Sequence, residues 1–198
     1  MTPDPYIPHH AVMPARRAGR TAAPGGIRGA DHWVAQARFD SPLGPLTAAA
    51  TAKGLAGLWF DGQAHHPGPL QAAQDARNPF IAQAREELLR YWQGAAGMAF
   101  KVPLDAQGTP FQQAVWRALR DIPGGRTSTY AHIALRAGLP RAVRAAGAAI
   151  GRNPLSIIVP CHRVLGYDGS LTGYAGGLQR KRSLLQREGA LPPASGRP

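Results

Sequence analysis

One cysteine, Cys161, is present in the chain, and its neighbours are of the kinds that change a thiol's chemistry. It stands in Pro160-Cys161-His162-Arg163-Val164, directly behind the apolar run Ile157-Ile158-Val159. Thiolate is the reactive form of cysteine and nearby cations favour it, so this cysteine is a candidate nucleophile. The competing reading is an inert buried thiol, because free cysteine packs like a small hydrophobe. Composition alone favours the inert thiol, and the flanking His and Arg bring the two readings level. A metal site has little support: His9-His10 and His65-His66 are adjacent pairs in loops, without helical i, i+4 spacing or a second cysteine. No metal is expected. Hydrolysis by a Cys-His pair lacks the local sequence of papain-like or caspase-like enzymes.

The elements around this cysteine can be read from period and punctuation. Trp33–Phe39, Pro45–Thr51 and Leu55–Phe60 predict three strands of an antiparallel meander, with Ser41-Pro42-Leu43-Gly44 and Lys53-Gly54 as turns. Residues 65–74 are expected to be a loop. Asn78-Pro79 predicts a helix start, with Phe80, Ala84, Leu88 and Tyr91 or Trp92 on its apolar face and Gly94 at its end. Thr109-Pro110 repeats that signature, and Phe111, Val115, Leu119 and Ile122 keep helical spacing until Pro123-Gly124-Gly125. Tyr130–Ala137, Gly138 and Pro140–Gly151 form a helix-turn-helix pattern. Its second helix is rich in small residues (Ala142, Ala145, Ala146, Gly147, Ala148, Ala149) and flanked by Arg141, Arg144 and Arg152. Ile157–Val159 predicts a short buried strand, and Leu178–Glu188 a last helix stopped by Gly189.

Charge is distributed unevenly. The net charge is +12, of which residues 1–30 carry +3, residues 31–102 none, and residues 103–198 +9. A positive field concentrated in the second half suits a polyanion such as DNA. Residues 1–30 mix Pro, Gly, Ala and Arg without hydrophobic period and predict a disordered basic tail. No run approaches a membrane helix, and Met1–His10 has no secretory signal pattern, so a cytoplasmic location is expected. A lone cysteine fits a reducing compartment.

Read as a string rather than as types, Asn153-Pro154-Leu155-Ser156-Ile157-Ile158-Val159-Pro160-Cys161-His162-Arg163-Val164 resembles the active-site signature of the O6-alkylguanine-DNA alkyltransferases. This family is also called the methylated-DNA–protein-cysteine methyltransferases. The resemblance continues through Phe111-Gln-Gln-Ala-Val-Trp116, Ile122-Pro-Gly-Gly-Arg-Thr127, Arg144-Ala145 and Gly173-Tyr-Ala-Gly-Gly177, closely over 103–190 and loosely over 31–102. It departs at Thr129 and Ala131, where the family usually has Ser and Gly, and at Ala175, where some members carry Ser. It also lacks the N-terminal zinc cysteines of some members.

The resemblance implies an α+β fold: a small antiparallel sheet with a helix, ribonuclease-H-like, over 31–102, then a mostly helical winged-helix-like DNA-binding domain over 103–190, with 191–198 a frayed tail. It implies that Cys161 takes an alkyl group from O6-alkylguanine, with O4-alkylthymine as a second candidate, in one irreversible turnover and without cofactor. His162 and Glu188 would form a relay to Cys161 through water, holding the thiol pKa below about 8.5. Tyr130 would protonate the departing guanine, and the Asn153 amide would pin the turn before the nucleophile. Double-stranded DNA would be met through its minor groove by Arg144, Ala145, Gly147 and Arg152. There Arg144 would fill the gap left by a flipped base. Carbonyls of Cys161 and Val164 and N–H groups near Tyr174 and Ala175 would read that base. A monomer is expected. A non-catalytic lesion-binding relative would lack the cysteine, and a transcription regulator would need longer side chains on the recognition helix.

Overall fold

The computed structural model describes residues 33–94 and 97–192. The expected tail over 1–30 and the last residues of the expected 191–198 tail lie outside them. Strands β1 (Ala35–Phe39), β2 (Leu46–Ala50) and β3 (Leu55–Phe60) form the antiparallel meander, with Ala35 facing Ala50 and Leu46 facing Phe60. The small side chains of β2 (Ala48, Ala49, Ala50) are fully buried on both faces of the sheet.

One correction concerns the segment expected to be a loop. Ala73–Gln74 forms a short strand, β4, parallel to β1 at the sheet edge, so the sheet order is β3-β2-β1-β4 and the sheet is mixed. Two exposed residues carry no apolar alternation, so only the tertiary pairing reveals them. The amide of Gln36 ties this region down by donating to Leu70 O and Ala72 O.

Helix α1 (Pro79–Trp92) starts where Asn78 Oδ1 accepts from the Phe80 and Ile81 N–H groups. It buries Ile81, Ala84, Leu88 and Tyr91 against the sheet, with Phe80 and Trp92 only partly covered. Its buried Glu87 accepts the N–H groups of Lys101 and Val102, so the connector to the second half leaves at a fixed angle.

Helix α2 (Pro110–Arg120) opens with a full capping box between Thr109 and Gln112. Strand β5 (Ser128–Thr129), α3 (Tyr130–Arg136) and α4 (Val143–Gly151) follow. Gly138, at φ 82°, closes α3: its N–H donates to Leu135 O, and that of Leu139 to Ala134 O, the paired bonds of a Schellman stop. Helix α4 starts three residues later than the pattern predicts, because Pro140 and Arg141 lie in the preceding turn and Ala142 supplies no side-chain cap. Trp116 Nε1 donates to Ala149 O and binds α4 to α2.

The second correction is at Ile157–Val159, which is a chain of turns rather than a strand. Ile157 has φ 71°, and Ile158 N–H bonds back to Ser156 O. That is a γ-turn of the uncommon hand, in which a β-branched residue stores strain. The apolar run is buried as predicted, but hydrophobicity does not distinguish a strand from a buried turn. A 3₁₀ turn (Cys161–Arg163) leads into β6 (Val164–Leu165), which pairs in parallel with β5. Helix α5 (Leu178–Arg187) closes the fold.

Candidate active site

Cys161 opens the 3₁₀ turn and is 5% exposed. Pro160, at φ −81° and ψ 61°, makes a second γ-turn in which Cys161 N–H reaches Val159 O. The strained segment is held from inside by Asn153. Its Oδ1 accepts the Leu155 N–H at 3.0 Å, while Nδ2 donates to Val159 O at 2.8 Å and to Cys161 Sγ at 3.1 Å. One buried amide therefore fixes both the loop and the sulfur.

His162 is fully buried, with Nε2 at 2.9 Å from Glu188 Oε1. A carboxylate only accepts, so the neutral ring carries its proton on Nε2 and exposes a lone pair at Nδ1. Nδ1 has no hydrogen-bond partner among the described residues. Burial holds the His162 pKa below its usual value, against the opposing pull of Glu188.

Glu188 is the C-cap of α5, immediately before Gly189 at φ 72°, whose N–H and that of Ala190 close a Schellman stop on Gln186 O and Leu185 O. The stop fixes where the carboxylate points. Arg163 grips it with two bonds, Nε to Oε2 at 2.7 Å and Nη2 to Oε1 at 2.9 Å, and Nη1 donates to Ile122 O at 2.5 Å. Tyr91, from α1, donates its hydroxyl to Oε1 at 3.0 Å. Burial alone would raise the Glu188 pKa, but the hydrogen bonds and charges of His162 and Arg163 win and bring it to about 2.

For the thiol the expected direction is reversed. Burial pushes the Cys161 pKa up, and the Asn153 hydrogen bond and the Lys181 charge offset only part of that. The flanking Arg163 spends its charge on Glu188 instead. Burial of the sulfur therefore favours the thiol over the thiolate.

Around the sulfur, Lys181 is completely buried and donates from Nζ to Val164 O at 2.5 Å and to Thr172 O at 2.6 Å. Its pKa falls to about 8 because of burial. Val164 N–H donates to Cys161 O. Both carbonyls expected to read a base thus already accept one bond, and each keeps a second lone pair. Ala175 O accepts the Ala64 N–H at 2.9 Å, which ties this loop to the segment after β3. The Tyr174 ring lies edge-on to His162, with centroids 6.4 Å apart. Tyr130 is half-buried at the start of α3, its hydroxyl 3.4 Å from Gly173 O and 3.3 Å from Thr172 Oγ1.

Helix α4 presents Arg144 and Ala145 to solvent and buries Ala146, Ala149 and Ile150, with Gly147 half-covered and Arg152 exposed after its end. Cys161, His162, Glu188 and Asn153 thus come together in one buried cluster. Tyr174 packs edge-on to His162 and buried Val164 follows the 3₁₀ turn, while half-covered Gly147 faces Tyr130 and Arg144, Ala145 and Arg152 are exposed. Lys181 and Tyr91 were not among the residues expected to act here. Lys181 could have been found: it shares a face with Leu184 and Leu185 at i, i+3, i+4, where a lysine must find carbonyls. Nothing in the sequence links Tyr91 to Glu188. Among the described residues no group of His, Cys, Asp and Glu is arranged to hold a metal ion, and no helix is long and apolar enough to cross a membrane.

Comparison with known proteins gives the same family over both halves. The family model of the 6-O-methylguanine DNA methyltransferase ribonuclease-like domain matches residues 35–106, and that of the DNA binding domain matches residues 110–190. The methylated-DNA–protein-cysteine methyltransferase of Haemophilus influenzae is 44% identical over 150 residues, covering 76% of this chain and 83% of its own. The one from Mycobacterium bovis is 46% identical over 156 residues, covering 79% and 93%. The crystal structure of Mycobacterium tuberculosis OGT in complex with DNA superposes with a TM-score of 0.71 at 44% identity, covering 79% of this chain and 94% of that one. The chain belongs to the 6-O-methylguanine DNA methyltransferase family.

Proposed function

We propose that this protein repairs alkylated DNA by moving the alkyl group of O6-alkylguanine irreversibly onto Cys161 Sγ. The observation that carries the reading is the sole cysteine of the chain, buried, held at Sγ by Asn153 and followed by a buried His162–Glu188 pair. In the step, the Sγ proton passes through water to His162 Nδ1, a buried ring nitrogen with no hydrogen-bond partner among the described residues. The thiolate then attacks the alkyl carbon, the carbon–O6 bond breaks, and guanine departs with the electron pair. Tyr130 donates a proton to the leaving base. The product is a thioether, which cannot be turned over, so the protein acts once.

A base inside a duplex cannot reach a thiol this deep, so the nucleotide must leave the stack. Small residues on α4 suit close approach in a minor groove, with Arg144 positioned to occupy the vacated space and Ala145, Gly147 and Arg152 along the backbone. Two functional domains, 31–102 and 103–190, follow from this reading, the second carrying the chemistry. A single-use thiol also needs reducing surroundings, which favours the cytoplasm.

Intact mass after incubation with an oligonucleotide carrying O6-methylguanine tests the reading. One methyl should replace one hydrogen, at Cys161, once per molecule, and Cys161→Ser should bind the lesion without taking the methyl. Modification at another residue, or repeated turnover, refutes it.

A further inference from the structure

Glu188 Oε1 has two lone-pair directions and three donors directed at it: His162 Nε2 at 2.9 Å, Arg163 Nη2 at 2.9 Å and the Tyr91 hydroxyl at 3.0 Å. The tyrosine belongs to α1, 97 residues away in sequence, and is completely buried against Trp92 and Phe100. Facing a carboxylate, a phenol can only donate, and each donor that shares an oxygen weakens the hold of that oxygen on the others.

We propose that Tyr91 is a positioning residue that, by donating to Glu188 Oε1, weakens the pull of Glu188 on His162 and so restrains the ionisation of Cys161. Its effect runs through two residues. Less negative charge on Oε1 stabilises the imidazolium form of His162 less, so Nδ1 accepts the Sγ proton less readily. The purpose this gives Tyr91 rests on the reading of Cys161 as a single-use acceptor: a thiol kept protonated is spared attack by stray electrophiles and oxidants. The charged and titratable groups around the carboxylate are His162 and Arg163 from the 3₁₀ turn, Tyr91 from α1, and Arg187 and Lys181 from α5, with Tyr174 beside His162. Arg187 is directed elsewhere, donating to Trp92 O with its guanidinium over the Trp92 ring. Lys181 is held by loop carbonyls. Among the described residues Tyr91 is therefore the donor to the carboxylate that the first half of the chain contributes, and it carries no charge.

Because the protein has one cysteine, the rate of alkylation by iodoacetamide against pH reports Cys161 alone. Tyr91→Phe should move the inflection down by about half a pH unit, a roughly threefold gain in thiolate below the inflection. A fluorinated tyrosine placed at position 91, a stronger donor of nearly the same volume, should move it up. In a Glu188→Gln background, Tyr91→Phe should move nothing. A merely structural role would change rates at every pH and leave the inflection in place. An unmoved inflection in Tyr91→Phe, or an equal shift in the Glu188→Gln background, overturns the proposal. Should Tyr91→Phe fail to fold, the fluorinated variant decides, and an unmoved or lowered inflection there overturns it. Transfer from free O6-benzylguanine to the wild-type protein is measured in parallel: its failure would overturn the functional reading while the iodoacetamide profile still judged Tyr91.

Discussion

Of the bonds that the Asn153 side chain makes, three have separate consequences. Its bond to the Leu155 N–H and its bond to Val159 O hold a segment strained at Ile157, while its bond to Sγ is the larger of the forces that lower the thiol pKa. Asn153→Ala removes all three and leaves buried groups unpaired, at a cost of about 2–4 kcal/mol, measurable by chemical denaturation. Asn153→Asp keeps the acceptor for Leu155 N–H but replaces the donor facing Sγ with negative charge. Its iodoacetamide inflection should rise further than that of Asn153→Ala, although it loses less stability. If the two variants shared one inflection, the Asn153–Sγ bond would have no electrostatic part in the reaction.

On the scale of single elements, α4 separates stability from DNA contact. A Cβ at Gly147 would lie 3.6 Å from Tyr130 Cδ1, an ordinary contact, and the residue sits mid-helix. Gly147→Ala should therefore gain about 0.5–1 kcal/mol in stability from helix propensity. If the same face approaches a minor groove closely, the added methyl should slow repair in duplex DNA while leaving transfer from free O6-benzylguanine unchanged. Arg144→Ala should show the same split more strongly, because only the duplex requires a base to be replaced in the stack. Equal losses on both substrates would remove Arg144 from that role. The two variants differ in stability but share the split, so a folding defect cannot imitate it.

Across the whole molecule, the two halves meet at the site itself. Leu58 N–H donates to Pro154 O and Ser156 N–H to Leu58 O, so β3 pairs with the active-site loop, and the Ser156 hydroxyl donates to the buried Gln63. Arg180 reaches Leu43 O and stacks over Phe60. Acid should loosen this junction in two stages. The folded His162 pKa is depressed, so its contribution is complete above the unfolded value of about 6.5 and is lost as pH falls below it. The Glu188 pKa is depressed from 4.5 to about 2, so its contribution is present above 4.5 and lost between there and 2. That second stage should remove on the order of 3 kcal/mol. Denaturation midpoints followed from pH 7 to 3 should fall throughout, and Glu188→Gln should begin lower and flatten below pH 4.5. At the same scale, the +9 of residues 103–198 predicts that duplex affinity falls steeply with salt. A salt-independent affinity would contradict phosphate neutralisation as the source of binding.

How much of this was legible without coordinates follows from which interactions are local. The caps at Asn78 and Thr109, the stops at Gly138 and Gly189 and the order of β1 to β3 and of the five helices are decided within a few residues, and the sequence determined them. It also determined the family, because the string from Asn153 to Val164 is contiguous. It could not determine that Ile157–Val159 is a set of turns, since the force bending that segment is the Asn153 amide acting across it rather than any propensity in the apolar run. Strand β4 depends on pairing with β1, nearly 40 residues earlier. The environment of the thiol is tertiary for a related reason: the types beside Cys161 suggest positive charge, but the fold turns Arg163 onto Glu188 and buries the sulfur. Desolvation and charge pairing are properties of the assembled interior. Only the fold could bring Tyr91 onto Glu188, Glu188 onto His162, and the Lys181 charge to bear on Cys161.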